Sequence, residues 1–239
     1  VWHVPTLFAP AKLTKTLRIT GVRPDGYHLI DAEMVTLDFG DLLEVTPGAH
    51  GLKVDRGAGL VDGDPDDLVV RALELVAVRA GVVLHKSIPA GAGLGGGSAD
   101  AAAILRWAGM HDESAAVVLG ADVPFCLSGG RARVGGIGEV VEPLVYEERT
   151  FTLFTPPVHC STVEVYRRWD ELGGPGGEHG NDLEPAALDL LPELARWREQ
   201  FADATGQWPR LAGSGSTWWV EGAHPASAHV VARTTPPMV

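Results

Sequence analysis

Lysine is scarce in this chain, occurring only at positions 12, 15, 53 and 86, and no basic cluster offsets a formal net charge of −12. A nucleic-acid partner is thereby disfavoured, because a phosphate backbone demands a basic face. The two cysteines, Cys126 and Cys160, lack CxxC spacing, which argues against a disulfide framework or a zinc site and for reduced, buried thiols. No cluster of histidine and cysteine with metal-ligand spacing is visible either. No apolar run approaches the length of a membrane span, and the first residues lack the basic-then-apolar profile of a secretory signal. A cytoplasmic protein is expected, monomeric or homodimeric, without nucleic-acid or membrane partners. At 239 residues the chain has length for one large domain or two small ones.

Glycine, by contrast, is abundant and concentrated. Five of the eight residues from Gly91 to Ser98 are glycine, and the apolar helical run Ala101 to Trp107 follows at once. A loop with so few side chains exposes its amides, and a helix start adds the positive end of its dipole. Ser98 is a plausible cap, with Ala101, Ile104, Leu105 and Ala108 spaced as one buried stripe. A polyphosphate is the natural ligand of such a loop, a glycine-rich surface turn being the alternative.

Before the loop, Leu17 and Ile19, then Val35, Leu37 and Phe39, then Leu43 and Val45 alternate as strands, and Arg23-Pro-Asp-Gly26 marks a turn. A largely antiparallel sheet is expected. Asp67 caps a predicted helix whose apolar positions run from Val69 to Ala80 and which ends at Gly81, and Val82 to His85 is a short strand. After the loop, Asp122 sits between Ala121 and Val123-Pro124, in an otherwise apolar segment. Such a residue is a presented catalytic carboxylate or a helix cap, and the residues alone leave both open. Pro156-Pro157 punctuates a change of character near residue 150, where a domain boundary is expected between 1–150 and 151–239. Pro185 to Phe201 reads as one helix with Leu194, Trp197 and Phe201 on one face, and Leu211 to Thr217 as a glycine turn that could close over the first loop. The tail after Gly222 shows little pattern and reads as a segment prone to fray.

Taken in order, Ala9-Pro-Ala-Lys12, the stretch Pro89 to Ser98 and Ala212-Gly-Ser-Gly-Ser216 resemble the three motifs of the GHMP kinase superfamily. Arg23-Pro-Asp-Gly-Tyr-His28, Leu119 to Phe125, Gly136-Ile-Gly-Glu139, Ser161 to Tyr166 and Asn181-Asp-Leu-Glu184 resemble one branch of it. That branch phosphorylates a cytidine-diphosphate-linked methylerythritol in the non-mevalonate route to isoprenoid precursors. The resemblance implies an α+β, two-domain GHMP kinase fold, with a ribosomal-S5-like N-terminal domain, a ferredoxin-like C-terminal domain and the site in the cleft between them.

It also implies ATP as phosphoryl donor with Mg²⁺, and catalytic roles for Lys12 and Asp122. Leu68 and Lys86 would lie near the adenine, while Pro89, Gly91, Gly93, Leu94, Gly95, Gly96, Gly97 and Ser98 would hold the phosphates, Ser98 also approaching Mg²⁺. Thr14, Tyr27, His28, Thr162, Tyr166, Gly213, Ser214 and Gly215 would bind the acceptor, Tyr27 and Tyr166 stacking on the cytosine and His28 bonding its edge. Thr14, Asp67 and Ala99 stand where the family usually has asparagine, asparagine and serine, and the segment from Trp107 to Leu119 is shorter than usual. Another small-molecule kinase of the superfamily, or a non-catalytic nucleotide-binding relative, is the alternative. The segment Asp25-Gly-Tyr-His28 and Tyr166 argue against the former, the pair Lys12 and Asp122 against the latter.

Overall fold

The computed structural model describes residues 4–238; residues 1–3 and 239 of the two expected spans lie outside them. Two long strands, β1 (Thr6–Val22) and β2 (His28–Pro47), form an antiparallel hairpin through the expected turn, where Gly26 takes φ +87°. There follow β3 (Leu52–Asp55), β4 (Leu60–Asp62), helix α1 (Leu68–Leu75), β5 (Ala80–His85), α2 (Gly96–Trp107), α3 (Glu113–Ala116), α4 (Val123–Ser128), β6 (Arg131–Gly136) and β7 (Val140–Pro143). Strand β1 runs along one edge of β2, so the other edge is shared: residues 42–47 pair with β5 and residues 30–35 with β6. The resulting seven-stranded sheet has the order β4-β3-β5-β2-β6-β7 with β1 beside β2, and only β3 and β5 pair in parallel.

The second half contributes β8 (Thr150–Phe154), α5 (Thr162–Glu171), α6 (Glu184–Leu190), α7 (Glu193–Thr205), β9 (Arg210–Leu211), β10 (Trp218–Glu221) and β11 (Val230–Arg233). Its four strands form an antiparallel sheet in the order β11-β8-β10-β9. One core lies between the first sheet and helices α1, α2 and α4; another lies between the second sheet and α5 to α7, joined by Leu17 of β1. A third core interleaves Leu13, Val35 and Leu37 with Phe151, Leu153 and Trp219, so apolar burial joins the two halves. Among the described residues no helix is long and apolar enough to cross a membrane.

Several local expectations are corrected. Helix α1 ends at Leu75, with Ala77 at φ +53°, because Ala80 and Gly81 pair with Pro47 and Thr46 of β2: sheet bonding overrides the helical spacing. Ser98 is not a cap; Gly95 takes the cap position at φ +69°, which places Ser98 within the first turn. Helix α2 has no single stripe, since every residue from Ala99 to Leu105 is buried, whereas Ala108 is only partly so. The expected helix 185–201 is two helices, broken at Leu191 (φ −130°, ψ 75°) because Pro192 disfavours a helical residue before it. Nor does the tail fray: β11 pairs with β8, Thr235 N donates to Thr36 O at 2.9 Å, and Met238 N donates to Ser128 O at 2.9 Å.

Candidate active site

The glycine loop delivers the chain from β5 into α2. Gly91, Gly93 and Gly95 have φ of +68°, +75° and +69°, conformations that side-chain-bearing residues rarely adopt. At Gly93 the demand is also steric, since a Cβ there would lie 2.1 Å from the carbonyl oxygen of Ala212. The second glycine loop therefore seats directly on the first, with Ser216 N donating to Gly91 O and Thr217 N to Ala92 O, both at 3.2 Å. Among the described residues no side chain caps α2, and Gly96, Gly97 and Ser98 line a cavity of about 890 Å³. An uncapped helix start facing a cavity suits the oxygens of a phosphate chain.

Every residue expected to touch a ligand lines that cavity except Gly215. Gly215 turns inward, where a Cβ would meet Cys160 Sγ and Leu211 Cδ1 at 3.2 Å, so it shapes the loop from behind. A register shift between Pro10 and Lys12 interrupts the β1–β2 ladder, the kind of irregularity that re-aims a side chain. Lys12 is buried; its Nζ lies 3.0 Å from Asp122 Oδ2 and donates to Thr14 Oγ1 at 2.9 Å. Asp122 occupies the N-cap position of α4, but its carboxylate makes no cap bond. The hydroxyl of Thr14 thus retains a polar contact at the position where asparagine is usual.

Helix α5 forms the wall opposite. Its residues Thr162, Val163, Tyr166, Arg167 and Asp170 line the cavity at spacings that place them on one helical face. The His28 ring packs on Tyr166 at 4.8 Å between centroids and edge-on against Trp169 at 5.6 Å, with Nε2 2.8 Å from Asp170 Oδ1. Tyr27 lies at the rim and is 60% exposed. Burial, with the Asp122 charge adding to it, pushes the Tyr166 phenol above its ordinary range, so the ring faces the cavity as a neutral phenol. Trp169 and Asp170 escaped the sequence reading, although they stand three and four residues after Tyr166 in a helical register.

At the far end Asp67 caps α1, accepting from Val69 N at 2.8 Å, and a Cβ on Gly97 would touch Leu68 at 3.5 Å. Lys86, expected near the adenine, lines the cavity at this end. Its ammonium is held between Asp41 Oδ2 at 2.5 Å and Asp100 Oδ2 at 2.7 Å. Asp41 Oδ1 also accepts from Ile88 N at 2.8 Å, so the cluster ties β2, the start of the glycine loop and α2 together. Burial opposes the Lys86 charge, yet Asp100 and Asp41 outweigh it and raise its pKa. Asp100, buried and sharing that cation with Asp41, is pushed up to about 7. The sequence offered no sign of this cluster. Both cysteines are free and buried, with burial pushing Cys126 up to about 12 and Cys160 up to about 11, so neither is a nucleophile.

Residues 67–130 match the model of the GHMP kinases N terminal domain. The chain is 37% identical to the 4-diphosphocytidyl-2-C-methyl-D-erythritol kinase of Paracoccus denitrificans (strain Pd 1222) over 87% of its own length and 84% of that protein. It is 39% identical to the protein of that name from Cereibacter sphaeroides (strain ATCC 17029 / ATH 2.4.9), over 88% of this chain and 86% of that one. A crystal structure of 4-(cytidine 5'-diphospho)-2C-methyl-D-erythritol kinase superposes with a TM-score of 0.76 at 28% identity, covering 96% of this chain and 99% of the other. A Methanococcus jannaschii mevalonate kinase, at 10% identity and a TM-score of 0.63, shares the fold. With an uncapped glycine loop, a lysine–aspartate pair and an aromatic wall in one cavity, and with these relatives along most of its length, the chain belongs to the 4-diphosphocytidyl-2-C-methyl-D-erythritol kinase family of the GHMP kinases.

Proposed function

We propose that this protein transfers the γ-phosphoryl group of ATP to the 2-hydroxyl of 4-diphosphocytidyl-2-C-methyl-D-erythritol, in the cytoplasm. The observation that carries the proposal is the position of the Lys12–Asp122 pair, in one cavity with the uncapped glycine loop and the wall of His28 and Tyr166. Asp122 accepts the proton of the attacking hydroxyl and orients its oxygen toward the phosphorus. Lys12, held by Asp122 and Thr14, offsets the negative charge that spreads over the transferring oxygens. The glycine loop, chiefly the amides of residues 93–98, holds the phosphates, with Leu68 and the backbone near Lys86 at the adenine.

Mg²⁺ fits the donor set, since a hard cation on a polyphosphate needs only one or two protein oxygens. Ser98 and Asp122, which carry a hydroxyl and a carboxylate, both line the cavity. The ion would neutralise phosphate charge there. The separate cores of the two halves support a division into domains 1–150 and 151–239, with the cavity between them.

ATP turnover measured with and without the acceptor tests the activity. Turnover that depends on it is expected, and no dependence would overturn the proposal. Tyr27→Ala tests the cytosine end: stacking on one aromatic ring is worth about 1–3 kcal/mol, so the acceptor KM is expected to rise about tenfold with the ATP KM unchanged. An equal rise in both would assign the ring to the fold.

A further inference from the structure

The segment Asn181-Asp182, which the activity as proposed does not use, forms a buried strap between the two elements that face each other across the transfer point. On one side it pairs with β1. Leu17 N donates to Gly180 O at 2.8 Å, Asp182 N donates to Leu17 O at 2.9 Å, and the Asp182 carboxylate accepts from Ile19 N at 2.9 Å and Arg18 Nη1 at 2.6 Å. This is the strand that carries Lys12 and Thr14. On the other side Asn181 Nδ2 donates to both Leu211 O at 2.9 Å and Gly213 O at 2.7 Å, while its Oδ1 accepts from Leu183 N at 3.0 Å.

Asn181 is 2% exposed, and its amide spends both hydrogens on carbonyls of one loop. That loop lies over the lysine, for a Cβ on Gly213 would stand 3.7 Å from both Lys12 Nζ and Thr14 Oγ1. Next to it, Ser214 Oγ and Thr162 Oγ1 are 2.9 Å apart, which extends the tie to α5. One buried carboxamide therefore joins the loop of Gly213-Ser214 to the strap that pairs with the strand of Lys12 and Thr14.

We infer that Asn181 is a positioning residue for the acceptor: it holds the second glycine loop at the distance from β1 at which the acceptor hydroxyl meets Asp122. The inference rests on the proposed activity. Loss of fit by about 1 Å at a reacting centre can cost about a hundredfold in rate. ATP, held by the first loop and α2, should not feel the change.

Asn181→Asp keeps the size of the side chain and replaces both donors with an oxygen facing two carbonyls. Its acceptor kcat/KM is expected to fall at least about thirtyfold, with the ATP KM within about twofold. Acceptor-independent ATP hydrolysis should hold its wild-type rate, so that the coupled fraction drops. Asn181→Gln, which retains the amide, is expected to recover part of the coupling. An unchanged acceptor kcat/KM, or losses that follow only the folded fraction and spare the coupling ratio, would overturn the inference.

Amide hydrogen exchange on the wild type gives a measurement that needs no variant. The Leu183 amide, which reports the Asn181 bond, is expected to slow together with the amides of residues 214–217 when the acceptor saturates. Slowing of the loop with Leu183 unmoved would overturn the inference. A wild type without acceptor-dependent turnover would defeat the proposed activity, whereas a coupled wild type with an equally coupled Asn181→Asp would defeat only the role of Asn181.

Discussion

Asp122→Asn is expected to lower acceptor-dependent kcat by about a thousandfold while ATP binding stays within about twofold. The substitution keeps an oxygen near the attacking hydroxyl but removes the charge and the basicity. A positioned general base contributes about a hundredfold to ten-thousandfold, and phosphoryl transfer through a loose transition state sits within that range rather than above it. A second effect adds to the first. Lys12 is 5% exposed and would lose its ion-pair partner, keeping the Thr14 hydroxyl and a neutral amide oxygen, so its ammonium is held less firmly beside the transferring oxygens. Single-turnover measurement at saturating ATP and acceptor separates chemistry from product release. A rate within threefold of the wild type would assign Asp122 no part in proton transfer or in holding Lys12. The thermal midpoint should fall modestly, since the Asp122 side chain is 31% exposed and water screens part of what the pair contributes.

The largest loss of stability is expected from Lys86→Met. The substitution leaves Asp41 and Asp100, 0% and 2% exposed, without their shared cation, and breaking a buried pair from one side costs about 3–5 kcal/mol. Asp41 would keep the amides of Ser87 and Ile88, whereas Asp100 would lose the ammonium from Oδ2, and its Oδ1 has no partner among the described residues.

The pH dependence follows from the same geometry. Asp100 in the folded protein is pushed up to about 7 against an ordinary value of 3.8, so the fold binds its proton more tightly than the unfolded chain does. The stability from that proton is present at low pH and lost as pH rises through about 7. Without Lys86 the proton is held more tightly still. Urea midpoints of Lys86→Met are therefore expected to rise more steeply than those of the wild type between pH 8 and pH 6. Parallel curves, or a variant as stable as the wild type, would show that the carboxylates are relieved by water and not by the lysine. The ATP KM of the variant should rise as well, because the same cluster anchors the glycine loop to β2 and α2.

Much of the site was legible in the residues because it depends on neighbours in the chain. Gly91 to Ser98 states its own conformation: the glycines supply positive φ, the helix formers follow at once, and an exposed run of amides is the result whatever packs around it. The Asp67 cap and the turn before Tyr27 are likewise properties of a few adjacent residues. Lys86 is the opposite case. Its sequence neighbours say only that a lysine stands before a glycine loop, and its role follows from Asp41, a strand away, and Asp100, one helical turn into α2. The same holds for the contact of His28 with Asp170 and for the carbonyls on which Asn181 spends its amide. In each, a polar side chain removed from water must find a partner, and which partner comes within 3 Å depends on how distant segments cross. Conformation along the loop is a local matter of backbone sterics, whereas the assignment of a buried charge or amide is a long-range one that the packing of the sheets alone resolves.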